Sequence, residues 1–234
     1  MSYQVAKLVA RIAENLPEMS SDVMQGWIEN PKALQKLLLG LCPPSADALP
    51  GLYWDKVYEA LGMSAEYEEF AQANSAQDDP NLWIVPVVKG VTCNKVVAGL
   101  KKLGVKFYLY TDDLDKAVPT NDRDPSNGSY VIGFARNVEA DKENKNLSAN
   151  TLKSRSHKGI TLLERLILEL GYFLATRKHL DNENITLCAG SRGRDGYVPS
   201  VSWYSDDREV YVFWYDPDIS RAYLRSRSAV SLPV

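Results

Sequence analysis

No stretch restricts the fold of this chain more than residues 159–175, GITLLERLILELGYFLA. At about 100° per residue, Leu162, Leu163, Leu166, Ile167, Leu170, Phe173 and Leu174 fall on one arc of a helix. Thr161, Glu164, Arg165 and Glu169 fall outside it, with Leu168 the apolar exception. The spacing predicts a helix with one buried face. Thr161 followed three residues later by Glu164 has the form of a capping box, in which each side chain satisfies a free N–H of the first turn. Arg177, Lys178 and His179 stand where the negative end of the helix dipole favours cations.

Around this helix the pattern is mixed. Residues 3–41 read as three short helices. The first carries Val5, Leu8, Val9, Ile12 and Leu16; the second carries Val23, Met24, Trp27 and Ile28 behind Ser20 or Ser21 as cap; the third follows Asn30-Pro31. The third helix has Lys32 and Lys36 as its cations and no Arg, poor equipment for reading bases, so the bundle reads as a packing or association module. Trp27 reads first as a core residue of that bundle and second as a contact on its surface.

Residues 42–51, CPPSADALPG, are rich in chain breakers and mark the expected boundary. The expected division is a helical module over residues 1–42, a linker with acidic helices over 43–80, and an α+β domain over 81–234. Within the middle part Glu66, Glu68 and Glu69 make a solvated face, with a break near Gly62.

The third part predicts a strand over residues 82–88, where Pro86 argues for an edge or an irregularity. A helix from about Asn94 to Leu103 follows, with Thr92 as cap and Gly104 as stop, and then a strand over residues 105–110 with Val105, Phe107 and Leu109 on one face. A unit of that length suits two parallel neighbours joined by a crossover helix. Further strands are expected at residues 129–136 and 184–189. A hairpin joins residues 201–204 to 209–215 across Ser205-Asp-Asp-Arg208. Residues 140–158 are polar, either a loop ordered by its own hydrogen bonds or a mobile one. In the second hairpin strand Val210, Val212 and Trp214 alternate with Tyr211, Phe213 and Tyr215, so both faces are apolar. Such a strand belongs in a sheet covered on both sides, or in one that meets a partner protein.

The formal net charge of −3 over 234 residues gives no support to a nucleic-acid or membrane-surface partner. Charge is unevenly spread, however: residues 86–106 carry Lys89, Lys95, Lys101, Lys102 and Lys106 and no acid, whereas residues 42–85 have many acids against Lys56 alone. Cys42, Cys93 and Cys188 are odd in number and far apart, which points away from a disulfide framework and toward a reducing, cytoplasmic compartment. The opening MSYQVAK lacks the form of a signal peptide, and no apolar run approaches the roughly 20 residues that span a bilayer.

Three clusters are candidates for chemistry. Asp112, Asp113, Asp115, Asp122 and Asp124 follow the strand ending at Tyr110 and are hard oxygen ligands of the kind Ca²⁺ or Mg²⁺ takes. The EF-hand Glu is missing, its place being Gly133, and Asx turns account for the same residues with no cofactor at all. Cys188 with His179 suggests a thiol and a base, although a cysteine between Leu187 and Ala189 in a buried strand ordinarily just packs. Residues 190–196, GSRGRDG, can cradle an anion but are followed by a strand rather than the helix that a P-loop or dinucleotide fingerprint requires, and read as a turn.

Several segments carry a family resemblance: VTCNKVVAGLKKLGV at 91–105, NDRDPSNGSY at 121–130, EADKENKNLSAN at 139–150, GITLLER at 159–165 and NITLCAGSR at 184–192. Less closely, so does WIENPKALQ at 27–35. Together they resemble a family of uncharacterised proteins predicted from genomes of candidate-phyla bacteria. The resemblance implies a bacterial protein close to complete and, since the family has no known activity, transfers no functional residue.

The sequence thus predicts an α+β fold, a small N-terminal helical bundle followed by a mixed sheet packed on a central amphipathic helix. The expected function is a non-enzymatic binding or assembly protein, self-associating through the bundle or the aromatic hairpin, with Trp27, Trp203, Tyr211, Phe213 and Tyr215 at the interface. The alternative is a metal-dependent hydrolase built on Asp112, Asp113, Asp122 and Asp124.

Overall fold

The computed structural model describes residues 20–30, 51–74 and 79–232, apart from the side chain of Trp27. The chain divides into two compact units, Met1–Ala48 and Leu49–Val234. In the first unit the described element is α1 (Ser21–Glu29), capped by Ser20, whose hydroxyl accepts the Val23 N–H. The expected first and third helices, and with them the bundle, lie outside the described residues, as does the side chain of Trp27.

The second unit is an α+β fold. It opens on α2 (Trp54–Ala60) and α3 (Ser64–Ala73), joined through Gly62 at φ +67°, a conformation that favours glycine. Then come β1 (Leu82–Val87), α4 (Cys93–Lys102), β2 (Lys106–Leu109), α5 (Leu114–Ala117), β3 (Thr120–Asn121) and β4 (Tyr130–Ala135). The chain continues through α6 (Ala149–Ser154), α7 (Leu162–Thr176), β5 (Ile185–Leu187) and β6 (Ser191–Arg192). It closes on β7 (Val198–Tyr204), β8 (Glu209–Tyr215), β9 (Leu224–Arg225) and β10 (Val230–Ser231). The large sheet has the order β2-β8-β7-β5-β9, the small one β1-β4-β10, and β3 pairs with β6.

Helix α7 is the centre of this unit. Its capping box is formed as the sequence requires: Thr161 Oγ1 accepts the Glu164 N–H, and Glu164 Oε2 accepts the Thr161 N–H at 2.8 Å. The expectation of one buried face is corrected, because every residue from Leu162 to Tyr172 is buried, the charged ones included. The helix packs against α4, α2, β1 and β7, so no side is left to water. Gly171 permits part of this closeness, since a Cβ there would sit 3.3 Å from Leu52 and Trp54. The helix ends at Arg177, which takes the left-handed conformation at φ 58° and lays its guanidinium over the Phe173 ring.

The predicted parallel β-α-β unit is also corrected. Helix α4 has the expected cap and stop, but β1 pairs antiparallel with β4 while β2 pairs parallel with β8 in the other sheet. The reason lies at the free edge of β1. Pro86 offers no N–H there, and the Tyr58 hydroxyl occupies the flanking groups, donating to Pro86 O at 2.8 Å and accepting from Val88 N at 3.1 Å. Among the described residues no second strand pairs along this edge, and Pro86 has the edge position expected of it.

The polar segment 140–158 is ordered by its own hydrogen bonds, among them Asn144 N–H to Asp141 O and His157 N–H to Leu152 O, and by distant partners as well. Asn144 Nδ2 donates to Ser226 O and Ser228 Oγ, Asp141 accepts the Ser228 N–H, and Asn150 reaches Pro217 O and Asp218. Its helix α6, capped by Ser148, sets Ala149 against Leu187, Val198 and Tyr215 on the outer face of the large sheet.

Replacing Tyr58 by Phe leaves the buried Val88 N–H and Pro86 C=O without their partner. We expect a loss of about 1–3 kcal/mol, read as a lower midpoint of urea unfolding at unchanged slope.

Candidate functional site

Two polar clusters surround α7, and both are saturated. At its start Glu164 receives Arg123 Nε at 2.6 Å, Arg123 Nη2 at 2.8 Å and the Tyr130 hydroxyl at 2.9 Å, in addition to the Thr161 N–H. Along its middle Arg165 donates to Glu169 at 2.7 Å and to Asp181 at 2.9 Å, with all three side chains wholly buried. Arg227 reaches the other Asp181 oxygen at 2.7 Å and the carbonyls of Asn137 and Val138. Two cations thus face two anions. His179 closes the set, with Nδ1 lying 2.7 Å from Glu169 Oε1 and its ring stacked 3.6 Å from that of Trp203. Burial works to raise the Glu169 carboxyl, but the Arg165 charge and the His179 hydrogen bond outweigh it and hold the group below the ordinary glutamate value.

The sequence candidates fall into this frame unevenly. Cys188 is fully buried, and burial pushes its thiol up, away from the thiolate that a nucleophile requires. Of the carboxylate cluster, Asp113 caps α5 and accepts Asn94 Nδ2, Asp115 accepts the Asn94 N–H, and Asp124 caps the short turn Pro125–Asn127. Asp122 lies where its own N–H meets Gly190 O, and Asp112 is exposed at the end of β2. Asp113 and Asp115 meet at Asn94 while Asp124 serves a different turn, and among the described residues no three His, Cys, Asp or Glu side chains gather as a metal ion would require. In the glycine-rich turn, Arg192 donates to Ala189 O and Ser191 O, and Arg194 donates to Lys116 O.

The outer face of the large sheet is different in kind. Registration of β2, β8 and β7 places Val210 and Val212 inward, in one core with Leu166, Leu170 and Val201. The alternate positions point outward, and α6 covers them at one end alone. Beyond Tyr215 no described element covers the face: Tyr108, Tyr110, Tyr204 and Phe213 are exposed, Tyr110 to 62%. The rings order one another. Tyr108 stacks on Tyr211 at 4.8 Å and 19°, Tyr204 lies 4.2 Å from Tyr211, and Tyr110 meets Phe213 edge-on at 5.6 Å. Asp207 accepts the Tyr211 hydroxyl proton, and this bond pushes that phenol up to about 12.

Among the expected interface residues, Tyr211, Phe213 and Tyr215 lie on this outer face, Tyr215 half-covered beside α6. Trp203 is on the opposite face of β7, on His179. Among the described residues, β8 is thus covered on its inner face along its length and on its outer face only beside α6. Sequence reasoning missed Tyr108 and Tyr110. Their signal was present, because the alternation that turns Val105, Phe107 and Leu109 inward necessarily turns Lys106, Tyr108 and Tyr110 outward.

No family model, curated protein or solved structure matches this chain. Among the described residues no helix is long and apolar enough to cross a membrane.

Arg165→Met leaves Glu169 buried without its main partner and Asp181 half-paired, so we expect a loss of about 3–5 kcal/mol in chemical unfolding. The depressed Glu169 carboxyl adds stability that is complete above its ordinary value of 4.5 and is lost as pH falls through the lower folded-state value. Melting temperatures recorded from pH 7 down to 3 will therefore fall below pH 4.5, and Glu169→Gln will flatten that fall.

Proposed function

We propose that this is a non-enzymatic binding or assembly protein that self-associates through its C-terminal sheet. One observation carries the reading: on the outer face of β2, β8 and β7 the aromatic side chains stand in two neighbouring sets of ring contacts, Tyr108–Tyr211–Tyr204 and Tyr110–Phe213–Tyr215, with no described element packed over the exposed rings. Aromatic side chains bury much area while losing little rotamer freedom, which makes such an area costly to leave in water and effective when covered. The saturated charge clusters support the same reading. Around α7 each buried carboxylate is engaged by arginine, tyrosine, histidine or main chain, an arrangement suited to rigidity. A cytoplasmic setting belongs to this proposal, supported by the free thiols Cys93 and Cys188.

Light scattering across a concentration series tests it. The intact chain should show a mass above that of the monomer at high concentration, and the double variant Phe213→Ser with Tyr110→Ser should return to the monomer mass while keeping its unfolding midpoint. A chain that stays monomeric at every concentration overturns the reading.

A further inference from the structure

Strand β2 is the terminal strand of the large sheet, and the side away from β8 is open among the described residues. The Tyr110 N–H reaches Val212 O at 3.2 Å. Parallel ladders engage alternate residues, so Lys106, Tyr108 and Tyr110 bond to β8 while Phe107 and Leu109 turn their N–H and C=O groups to the open side. The same two residues are only partly buried although their side chains face the core. Both main-chain bonding capacity and apolar surface are therefore left unused along one short line.

Charge along that line runs from one sign to the other. Before β2 come Lys101 and Lys102, exposed at the end of α4, and Lys106 at its first position. After it come Asp112, Asp113 and Asp115, exposed at and beyond the strand's end. An edge that is basic at its start and acidic at its finish repels a parallel copy and matches an antiparallel one.

We infer that two copies of this chain join edge to edge through β2, antiparallel about a two-fold axis at Tyr108, so that the two large sheets become one. The inference rests on the self-association proposed above and adds to it an edge that lies beside the aromatic face rather than over it. In this register Phe107 faces the partner copy's Leu109 as a hydrogen-bonded pair, and the symmetry repeats it, so the open main-chain groups of both residues are used on both copies. Shifting the axis to Phe107 would ask for the Val105 N–H, which is already given to Leu100 O. Across the axis the two Tyr108 rings come side by side, which extends the Tyr108–Tyr211 stack from one sheet into the next. Lys106, beside Glu209 in its own sheet, faces the ring of the partner copy's Tyr110. A lysine on a strand edge ordinarily deters pairing. Here its charge has an anion on one side and an aromatic ring on the other. Asp112 then lies toward the lysines at the end of the partner copy's α4, once on each side of the axis.

Cysteine cross-linking in the full chain tests the register. Tyr108→Cys places two thiols directly opposite at a non-hydrogen-bonded pair, where Cα atoms lie about 4.5 Å apart, within disulfide reach. Lys106→Cys separates its two thiols by four residues along the strand, roughly 13 Å. Under mild oxidation Tyr108→Cys should give a reducible dimer, and Lys106→Cys none above the unsubstituted chain. In parallel, Lys101→Glu with Lys102→Glu should weaken association about three- to tenfold at low salt, and adding Asp112→Lys should restore it. Association without preferential cross-linking at Tyr108 overturns the β2 edge while the broader self-association stands. A strictly monomeric chain overturns both, and leaves the edge to a strand of a different protein.

Discussion

The buried pair Arg165 and Arg227 is what the rest of the second unit depends on. Removing a charge from water costs several kcal/mol even after relaxation, and the cost is met only if the opposing charge and the remaining donors are placed well. Arg165 and Arg227 meet that condition by sharing Asp181, with Glu169 as the second anion and the carbonyls of Asn137, Val138 and Leu180 as acceptors. Those partners come from α7, from the turn that follows it, from the chain after β4 and from the chain after β9. The network therefore does more than tolerate a buried helix. It ties four distant parts of the chain to one another, and hydrophobic packing alone would leave their relative placement less sharply defined.

With the helix enclosed, the two faces of the large sheet have unequal roles. The inner face is part of the core around Leu166 and Leu170. The outer face is covered by α6 where Leu187 and Val198 lie, and this cover exists only because residues 140–158 are anchored to the C-terminal segment through Asn144, Asp141 and Asn150. Past the reach of α6, the tyrosines order themselves instead. The ring contacts among Tyr108, Tyr204 and Tyr211 hold a surface in place that water would otherwise leave with many conformations. Rings ordered in this way have little rotamer freedom left to lose if they are covered.

Local features were legible in the sequence to the degree that they are settled by neighbours along the chain. The capping box of Thr161 and Glu164, the Thr92 cap, the left-handed turns at Gly62 and Gly104 and the hairpin around residues 205–208 are set by residues within a few positions of the backbone they shape, and the edge placement of Pro86 by the N–H that proline itself lacks. The central helix was legible as a helix but not as a buried one. A polar residue off the apolar arc looks solvated until its partners are known, and Arg227 is 62 positions from Arg165 in the chain.

The same distance explains what the candidate site concealed. Periodicity alone determined that β8 has two apolar faces and that Tyr108 and Tyr110 share a side of β2, and the order of residues placed lysines before that strand and aspartates after it. Only the tertiary structure decided that β2 leaves β1 for the other sheet, that it takes β8 as neighbour, and that no other described element covers its far edge or the aromatic face beside it. Strand pairing is a choice among long-range partners of similar local quality. Here the Tyr58 hydroxyl occupying the edge of β1, and the buried charges seating the C-terminal strands, made that choice.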